Sequence, residues 1–421
     1  MSAGSRRGET RDIGPRVLVV LLLAYIFNFI DRNIIGVLAV PIREEFSLSD
    51  TALGDLGVVF GIFYATIAIP IAWLADRRSR VNIIAISVGL WSLFTAACGM
   101  AQNYTQLVVA RMGVAVGEAG GIAPSYALIA DYYPKAKRAR ALAFFSLGIP
   151  IGSALGVFFG GWLAANSSWQ AAFVIVGVIG LPAALLIKLL VPEPPRGRFD
   201  PGPPAAAPPL GEVARTLVRI PSFWLLAFGA ASGSVLGYGL IFWLPSFFDR
   251  SFHLSQTEIA LYYGSIVLVG GVAGTLLGGW IGDRVGPARP AAYALIPAVC
   301  FLITAPAFAL GVLAPNLWLA WLLFTLGQMT ALAWLGPIIS AVQHIVAPAM
   351  RATTSAAFLF INNLIGIAFG IKFLGWMSTR LRDSYGEQSL KYSILLGLGF
   401  YLLSAAIYFV ASRRLAKDWV A

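Results

Sequence analysis

Charged residues are scarce in this chain, and their scarcity excludes most classes of protein. Asp, Glu, Lys and Arg make up 12% of the 421 residues, whereas 58% are hydrophobic, and the mean hydropathy is +0.80. An ordinary soluble domain carries about 25% charged residues, so a water-facing surface cannot be built from this composition. The sequence therefore predicts a polytopic membrane protein without a large soluble domain.

Cysteine and histidine are also rare, which limits the available chemistry. Cys98 and Cys300 both lie in apolar runs, and the two histidines, His253 and His344, lie far from each other along the chain. No disulfide framework, metal-ligand spacing, catalytic triad or glycine-rich phosphate loop is visible. We expect no enzyme activity, no catalytic residues, no metal and no cofactor, and an ATP-driven pump is disfavoured.

Long apolar runs fill most of the sequence. A helical span needs roughly 20 apolar residues, so the composition supports about twelve spans, and runs of this length indicate helices rather than barrel strands. The predicted spans are 16–41, 51–75, 81–101, 104–131, 139–165, 170–191, 221–248, 257–282, 289–311, 315–344, 350–380 and 389–412. The predicted fold class is an all-α membrane protein.

Lys and Arg are distributed unequally between alternate loops. With both termini inside, 22 of the 30 lie on the inner side, 5 lie on the outer side, and Arg32, Arg111 and Lys372 lie within spans. This bias is typical of cytoplasmic loops and predicts that both termini are cytoplasmic. The net charge of +11 therefore needs no nucleic-acid partner.

Proline is concentrated between spans 6 and 7, where it cannot continue a helix. This connection predicts an N-terminal six-helix half at 1–191, a cytoplasmic linker at 192–220 and a C-terminal six-helix half at 221–421. A short motif supports the division, because Asp76-Arg77 and Asp283-Arg284 each end the second span of a half, 207 residues apart. Two six-helix repeats are the natural interpretation.

Glycine recurs at four-residue intervals in spans 5 and 8. The two stripes are Gly148, Gly152, Gly156 and Gly160, and Gly270, Gly274, Gly278 and Gly282. Small residues at this spacing let helix backbones approach closely. Static packing and a sliding gate both remain open as interpretations.

Together these features resemble the major facilitator superfamily. The resemblance rests on two copies of the family's G-x-L-x-D-R-x-G-R loop motif. Span 4, which reads RMGVAVGEAGGIAPSYALIADYYP from Arg111 to Pro134, is similar to the spinster-like branch of bacterial type, with Ala115 in place of a glycine. The first loop motif departs at Ala72 and Ser79, where the family has glycine. Segments of spans 1 and 5, NFIDR and IPIGSALG, are similar to the same branch.

The resemblance implies a proton-coupled or proton-antiport lipid carrier, since eukaryotic members move lysophospholipids or sphingosine-1-phosphate. It also implies alternating access between the two halves and a location in the bacterial inner membrane. A monomer is expected, with an amphipathic or anionic small molecule, protons and the lipid bilayer as its partners.

Four ionisable residues are predicted deep in the membrane, where each needs a partner or a task. We interpret Glu118 and Asp31 as proton-coupling carboxylates, and Arg32 and Arg111 as the charge relay that binds an anionic head group. Asp31 and Arg32 differ by about 100° around span 1, so one is expected to face span 4 and the other to face elsewhere. A permanent salt-bridge cluster is the structural alternative.

Other residues receive secondary roles. Asp76, Arg77, Asp283 and Arg284 are expected to gate conformation by capping a neighbouring helix, or to anchor topology. Lys372 is expected to snorkel outward, with substrate contact as the alternative. The residues expected to line a cavity, or alternatively to pack, are Tyr25, Phe29, Trp243, Gln328, Trp334, Phe358 and Asn362.

The predicted function is a proton-coupled secondary transporter that moves an amphipathic, lipid-like substrate by alternating access. A carrier of a small organic anion or drug is the first alternative. A transport-inactive membrane scaffold or sensor is the second alternative, although a scaffold has no need of charges inside the membrane.

Overall fold

The structure is a computed structural model that describes residues 13–75, 77–134, 141–142, 144–196, 198, 209–286, 289–347 and 350–420. Every long regular element in these ranges is an α-helix, as the composition predicts. The helices are α1 Ile13–Val37, α2 Ala39–Glu45, α3 Asp50–Ala75, α4 Arg80–Cys98, α5 Tyr104–Glu118, α6 Ile122–Tyr132, α7 Gly148–Asn166, α8 Trp169–Leu190, α9 Leu210–Val218, α10 Pro221–Phe252, α11 Gln256–Val285, α12 Ala292–Val312, α13 Leu317–Leu332, α14 Leu335–His344, α15 Arg351–Tyr385, α16 Ser389–Gly397 and α17 Gly399–Leu415.

Eleven stretches of the described residues are long and apolar enough to cross a membrane. The last of them, Thr353–Leu415, is 63 residues long and contains both of the last two predicted spans. A 3₁₀ turn at Gly386–Gln388 separates them, and Gly386 has a φ of 56° that favours glycine. The structure therefore agrees with the predicted twelve spans.

The chain divides into two compact units. The first consists of Met1–Ile34 and Phe63–Pro204, and the second of Ile35–Ile62 and Ala205–Ala421. In the first unit α4 packs along α5 and α8, and in the second α10 packs along α15 and α17. The end of the predicted linker is not irregular, because it forms the short helix α9.

Spans 4 and 10 begin in the same way, which is consistent with an internal repeat. The side chain of Asn103 accepts a hydrogen bond from the backbone N–H of Gln106 at the start of α5. Asn316 accepts the equivalent bond from Leu319 at the start of α13. Asparagine is a strong helix N-cap because it satisfies one of the free N–H groups of the first turn.

The two glycine stripes lie at close contacts between helices. In the first unit a Cβ at Gly156 would lie 2.8 Å from the carbonyl oxygen of Ile30, and one at Gly160 would lie 2.7 Å from Ile34 Cγ1. In the second unit a Cβ at Gly278 would clash with the backbone of Ala333. The stripes therefore bring α7 against α1 and α11 against α13, as close packing requires.

Large apolar side chains are exposed along many helices. Trp318 is 79% exposed and Ile86 is 68% exposed, which is unusual for a water-soluble surface and suits contact with lipid tails. The charged residues near the middle of the chain's spans are buried instead, and they form the candidate site.

Candidate functional site

Arg32 on α1 forms a buried ion pair with Glu118 on α5. Its Nη2 lies 2.6 Å and its Nε 3.1 Å from the same oxygen, Oε2 of Glu118. Glu118 is fully buried, and the Arg32 side chain is 9% exposed. The second carboxylate oxygen, Oε1, is buried and makes no hydrogen bond within the part of the chain that the structure describes. Only one of the two carboxylate oxygens of Glu118 therefore has a hydrogen-bond partner in the described part of the protein.

Asp31 forms a second ion pair between the same two helices. Its Oδ1 lies 3.3 Å from Nη1 of Arg111, and its Oδ2 accepts a hydrogen bond from the hydroxyl of Thr95 on α4. Asp31 and Arg111 are 1% and 3% exposed. Both oxygens of this carboxylate have partners, which distinguishes it from Glu118.

The expectation that only one of Asp31 and Arg32 faces span 4 is wrong. Both pair with α5 because Arg111 and Glu118 are almost two turns apart and present charges at two levels of that helix. The long side chains of Arg32 and Arg111 bridge the angular difference that a helical wheel shows at Cβ. All four ionisable residues predicted within the membrane therefore form ion pairs in the first unit.

Aromatic rings surround the Arg32 guanidinium. Its Cζ lies 4.6 Å from the ring centre of Tyr64 and 5.2 Å from that of Phe29. The ring of Tyr25 packs edge-on against Phe29 and stacks on Phe145 at 4.3 Å. A cation between aromatic faces keeps a favourable environment when its carboxylate partner is lost.

Span 4 is interrupted directly after Glu118. The helix α5 ends at that residue, and α6 begins at Ile122. Between them Gly120 and Gly121 donate to the carbonyls of Gly117 and Glu118 in tighter, three-residue turns, and Pro124 has no N–H to continue the ladder. The proposed coupling carboxylate thus lies at a helix break.

Span 10, the counterpart of span 4 in the second half, is also interrupted. The helix α13 ends at Leu332 and α14 begins at Leu335, one residue before Gly336 and Pro337. The backbone keeps helical dihedrals at both junctions, so each span is locally tightened at corresponding positions of the two repeats. Sequence analysis missed these breaks, although glycine followed closely by proline in both spans is the signal that reveals them.

The seven residues expected to line a cavity are all buried, at 0% to 8% exposure. Trp243 is fully buried and donates its indole N–H to the carbonyl of Ile371, and Asn362 accepts a hydrogen bond from Ser234. For Trp243 these contacts fit the packing alternative. Tyr25 and Phe29 are the members that lie beside the charged cluster. Gln328, Trp334 and Phe358 lie in the second unit.

The loop-motif arginines contact their own helices. Arg77 lies over the ring of Trp73 at 3.9 Å, and Arg284 lies over Trp280 at 5.4 Å, so the two copies are alike. Asp76 lies outside the described residues, and so does the side chain of Asp283. The gating role of the four residues stays a prediction.

A polar network near this loop was not predicted. Glu193 accepts hydrogen bonds from Ser79 Oγ and from the backbone N–H groups of Arg80 and Val81, so it caps the start of α4. Arg80 in turn pairs with Asp131 at the end of span 4. This network links three segments of the first unit. The proline-rich surroundings of Glu193 gave no sign of it.

A second buried cluster, which we name the Asp50 cluster, consists of Asp50, Arg43, Arg250 and Ser378 in the second unit. Arg250 binds Asp50 through both terminal nitrogens, at 2.8 and 2.6 Å. Ser378 donates to Asp50 at 2.7 Å, and Arg43 lies 3.8 Å away. No local pattern in the sequence marks this cluster.

Lys372, which is expected to snorkel outward, has a carboxylate partner. Its ammonium pairs with Asp55 and contacts the carbonyl of Thr51. The close approach of α3 at Gly54, where a Cβ would lie 2.9 Å from Lys372 Cα, brings this carboxylate within reach. The pair is half-exposed, with side-chain exposures of 29% and 45%.

Similar proteins agree with this architecture. The sequence profile of the Major Facilitator Superfamily matches residues 21–371. An MFS-type efflux pump of Mycolicibacterium smegmatis is 34% identical over 96% of this chain and 95% of its own length. Protein spinster homolog 1 of Homo sapiens is 29% identical over 96% of this chain and 83% of its own length.

Solved structures give the same result. The crystal structure of a bacterial homolog to the human lysosomal transporter spinster, in an inward-facing and unoccupied conformation, superposes with a TM-score of 0.86. It is 34% identical and covers 99% of this chain and 100% of its own. This chain therefore belongs to the Major Facilitator Superfamily of transporters and resembles its spinster-like members.

Proposed function

We propose that the protein is a proton-coupled secondary transporter of amphipathic anions, with lysophospholipids as the substrate class. The observation that carries the proposal is the Arg32–Glu118 pair at the break of span 4. Charged groups inside a membrane destabilise insertion by about 2.5 to 3.5 kcal/mol each. A pair that is buried, half-satisfied and next to a tightened helical turn suits a site that exchanges partners.

The coupling mechanism follows from competition for one guanidinium. While Glu118 is charged, it occupies two nitrogens of Arg32. A proton on Glu118 removes that charge and leaves the guanidinium for a phosphate or carboxylate of the substrate, to which arginine binds strongly. Asp31 would hold Arg111 in place through the exchange. Proton binding and anion binding thereby become linked.

The surroundings of Arg32 favour an amphipathic substrate over a purely ionic one. The rings of Phe29 and Tyr64 flank the guanidinium, so an anion bound there would lie beside apolar surface. The spinster-named relatives are the second support for a lipid. We further propose that the transporter acts as a monomer in the bacterial inner membrane with both termini in the cytoplasm.

The alternative is export of small organic compounds or drugs. The name of the Mycolicibacterium smegmatis relative, an MFS-type efflux pump, favours this reading. It makes the same use of Arg32 for anionic cargo, but it predicts no dependence on an acyl chain.

Flux into proteoliposomes separates the two. Purified protein is reconstituted, a pH gradient is imposed, and uptake is measured for a lysophospholipid and for short soluble carboxylic acids. Gradient-dependent lysophospholipid uptake that varies with acyl-chain length and ignores the short acids would support the lipid carrier. Transport of the short acids alone would replace it with the small-anion alternative.

A further inference from the structure

Asn28 on α1 is a buried amide without a hydrogen-bond partner. It is 2% exposed, and neither its Oδ1 nor its Nδ2 makes a hydrogen bond to any residue that the structure describes. Buried polar groups are nearly always paired, and each exception calls for an explanation. An amide left unpaired inside a membrane protein is destabilising.

Other buried asparagines of the described chain behave differently. Asn33, five residues further along the same helix, donates to the carbonyl of Phe29 at 2.7 Å and to Ser153 Oγ at 3.0 Å. Asn362 accepts from Ser234 at 2.8 Å. These side chains have structural partners, whereas Asn28 has none, so helix packing does not explain its presence.

Helix geometry directs Asn28 toward the charged cluster. It precedes Asp31 by three residues and Arg32 by four, so its direction lies about 60° from the first and 40° from the second. Both of those side chains pair with α5. Asn28 therefore lies on the same face of α1 as these two residues. Its angular position around the helix axis falls between those of Asp31 and Arg32, and it lies one turn closer to the N-terminus.

The unpaired oxygen of Glu118 belongs to the same cluster. On these faces of α1 and α5, three buried polar atoms lack a partner within the described residues: Oδ1 and Nδ2 of Asn28, and Oε1 of Glu118. One of them is a donor and two are acceptors. An anionic oxygen alone could pair only with the donor, whereas a hydroxyl both accepts and donates.

We propose that Asn28 binds a hydroxyl group of the substrate, next to the anionic group that Arg32 holds. The amide nitrogen would donate to this hydroxyl, and the hydroxyl would donate to Oδ1 of Asn28 or Oε1 of Glu118. The inference rests on the proposed function and narrows its substrate class. The preferred cargo is an amphipathic anion or zwitterion whose phosphate or carboxylate lies a few bonds from a hydroxyl, as in a 1-acyl lysophospholipid.

The test compares two lipids that differ in this hydroxyl alone. Uptake of 1-oleoyl-lysophosphatidylethanolamine and of its 2-deoxy analogue is measured in proteoliposomes for the native chain, Asn28→Leu and Asn33→Leu. The native chain is expected to prefer the hydroxylated lipid by about tenfold in kcat/KM, which is typical of one buried hydrogen bond with unpaired groups left behind.

Asn28→Leu is expected to lose this preference to within about twofold, while it still transports the deoxy lipid and unfolds at the native temperature or above. Asn33→Leu, the matched control, should unfold at a lower temperature but keep the preference. Should Asn28→Leu fail to fold, Asn28→Ala removes the same amide, and the same criterion applies.

Two results would overturn the inference without touching the proposed function: equal transport of both lipids by the native chain, or an undiminished preference in the folded Asn28 variant. Transport of neither lipid by the native chain would contradict the proposed function as well, and with it this inference.

Discussion

Nη2 of Arg32 lies 2.6 Å from Oε2 of Glu118, while Oε1 of the same carboxylate has no hydrogen-bond partner in the described chain. The neighbouring carboxylate, Asp31, has partners for both of its oxygens, from Arg111 and Thr95. Two buried acids therefore differ in how completely protein groups satisfy their hydrogen-bonding capacity. This difference is our reason for proposing that Glu118 exchanges partners during transport and that Asp31 positions Arg111.

Removing Arg32 should leave an uncompensated buried carboxylate. We expect Arg32→Gln to lower the free energy of unfolding by about 3 to 5 kcal/mol, as is typical when one partner of a buried pair is removed. The double variant Arg32→Gln with Glu118→Gln should recover part of that loss, since no unpaired charge remains. Unfolding in detergent, followed by intrinsic fluorescence at constant pH, measures both.

Substrate binding gives the matching functional readout. If Arg32 holds the anionic group, the stabler double variant should still fail to bind lysophospholipid. Recovery of binding together with stability would contradict the role of Arg32 and leave the pair a structural link between α1 and α5.

The Asp50 cluster should contribute much more to the stability of the fold than the Asp55–Lys372 pair does. Asp50 is 2% exposed and receives two hydrogen bonds from Arg250, so Arg250→Met should lower stability by about 3 kcal/mol or more. Lys372→Met breaks a half-exposed pair, and such pairs contribute about 0 to 1 kcal/mol. Thermal unfolding of the two variants tests the contrast, and equal losses would contradict it.

Two adjacent glycines of α11 provide a matched test of close packing. A Cβ at Gly278 would clash with the backbone of Ala333, whereas one at Gly279 would meet nothing within 4 Å. Gly278→Ala should therefore be destabilising by about 1 to 3 kcal/mol through overpacking. Gly279→Ala should be neutral or stabilising, because alanine is the better helix former. A similar loss in both variants would show that the stripe is not a packing contact.

Much of the architecture could be predicted from the sequence because composition and charge act on every residue of a membrane protein. The scarcity of charge, the twelve apolar runs and the four buried ionisable residues led to the fold and to the pairing of span 1 with span 4. Membrane physics leaves few other solutions for Asp31, Arg32, Arg111 and Glu118, since each must find a partner away from lipid.

The remaining features depend on contacts that no local pattern reveals. Asp50 and Arg250 are 200 residues apart in sequence, so nothing near either one marks their pairing. Asp31 and Arg32 were not both expected to face span 4, because a helical wheel describes Cβ, whereas the guanidinium lies several bonds beyond it. Glycine and proline mark these positions in spans 4 and 10, but the hydropathy of each span shows one continuous apolar run.

The most direct test of the account compares gradient-driven accumulation with exchange in Glu118→Gln. Proteoliposomes containing the native chain or the variant, matched for folding, are assayed for lysophospholipid uptake under a pH gradient and for exchange of labelled against unlabelled lysophospholipid without a gradient. The account predicts that the variant loses accumulation and retains exchange, because a permanently neutral residue frees Arg32 but carries no proton. Undiminished gradient-driven accumulation by Glu118→Gln would contradict the proton-coupling role and leave the cluster structural.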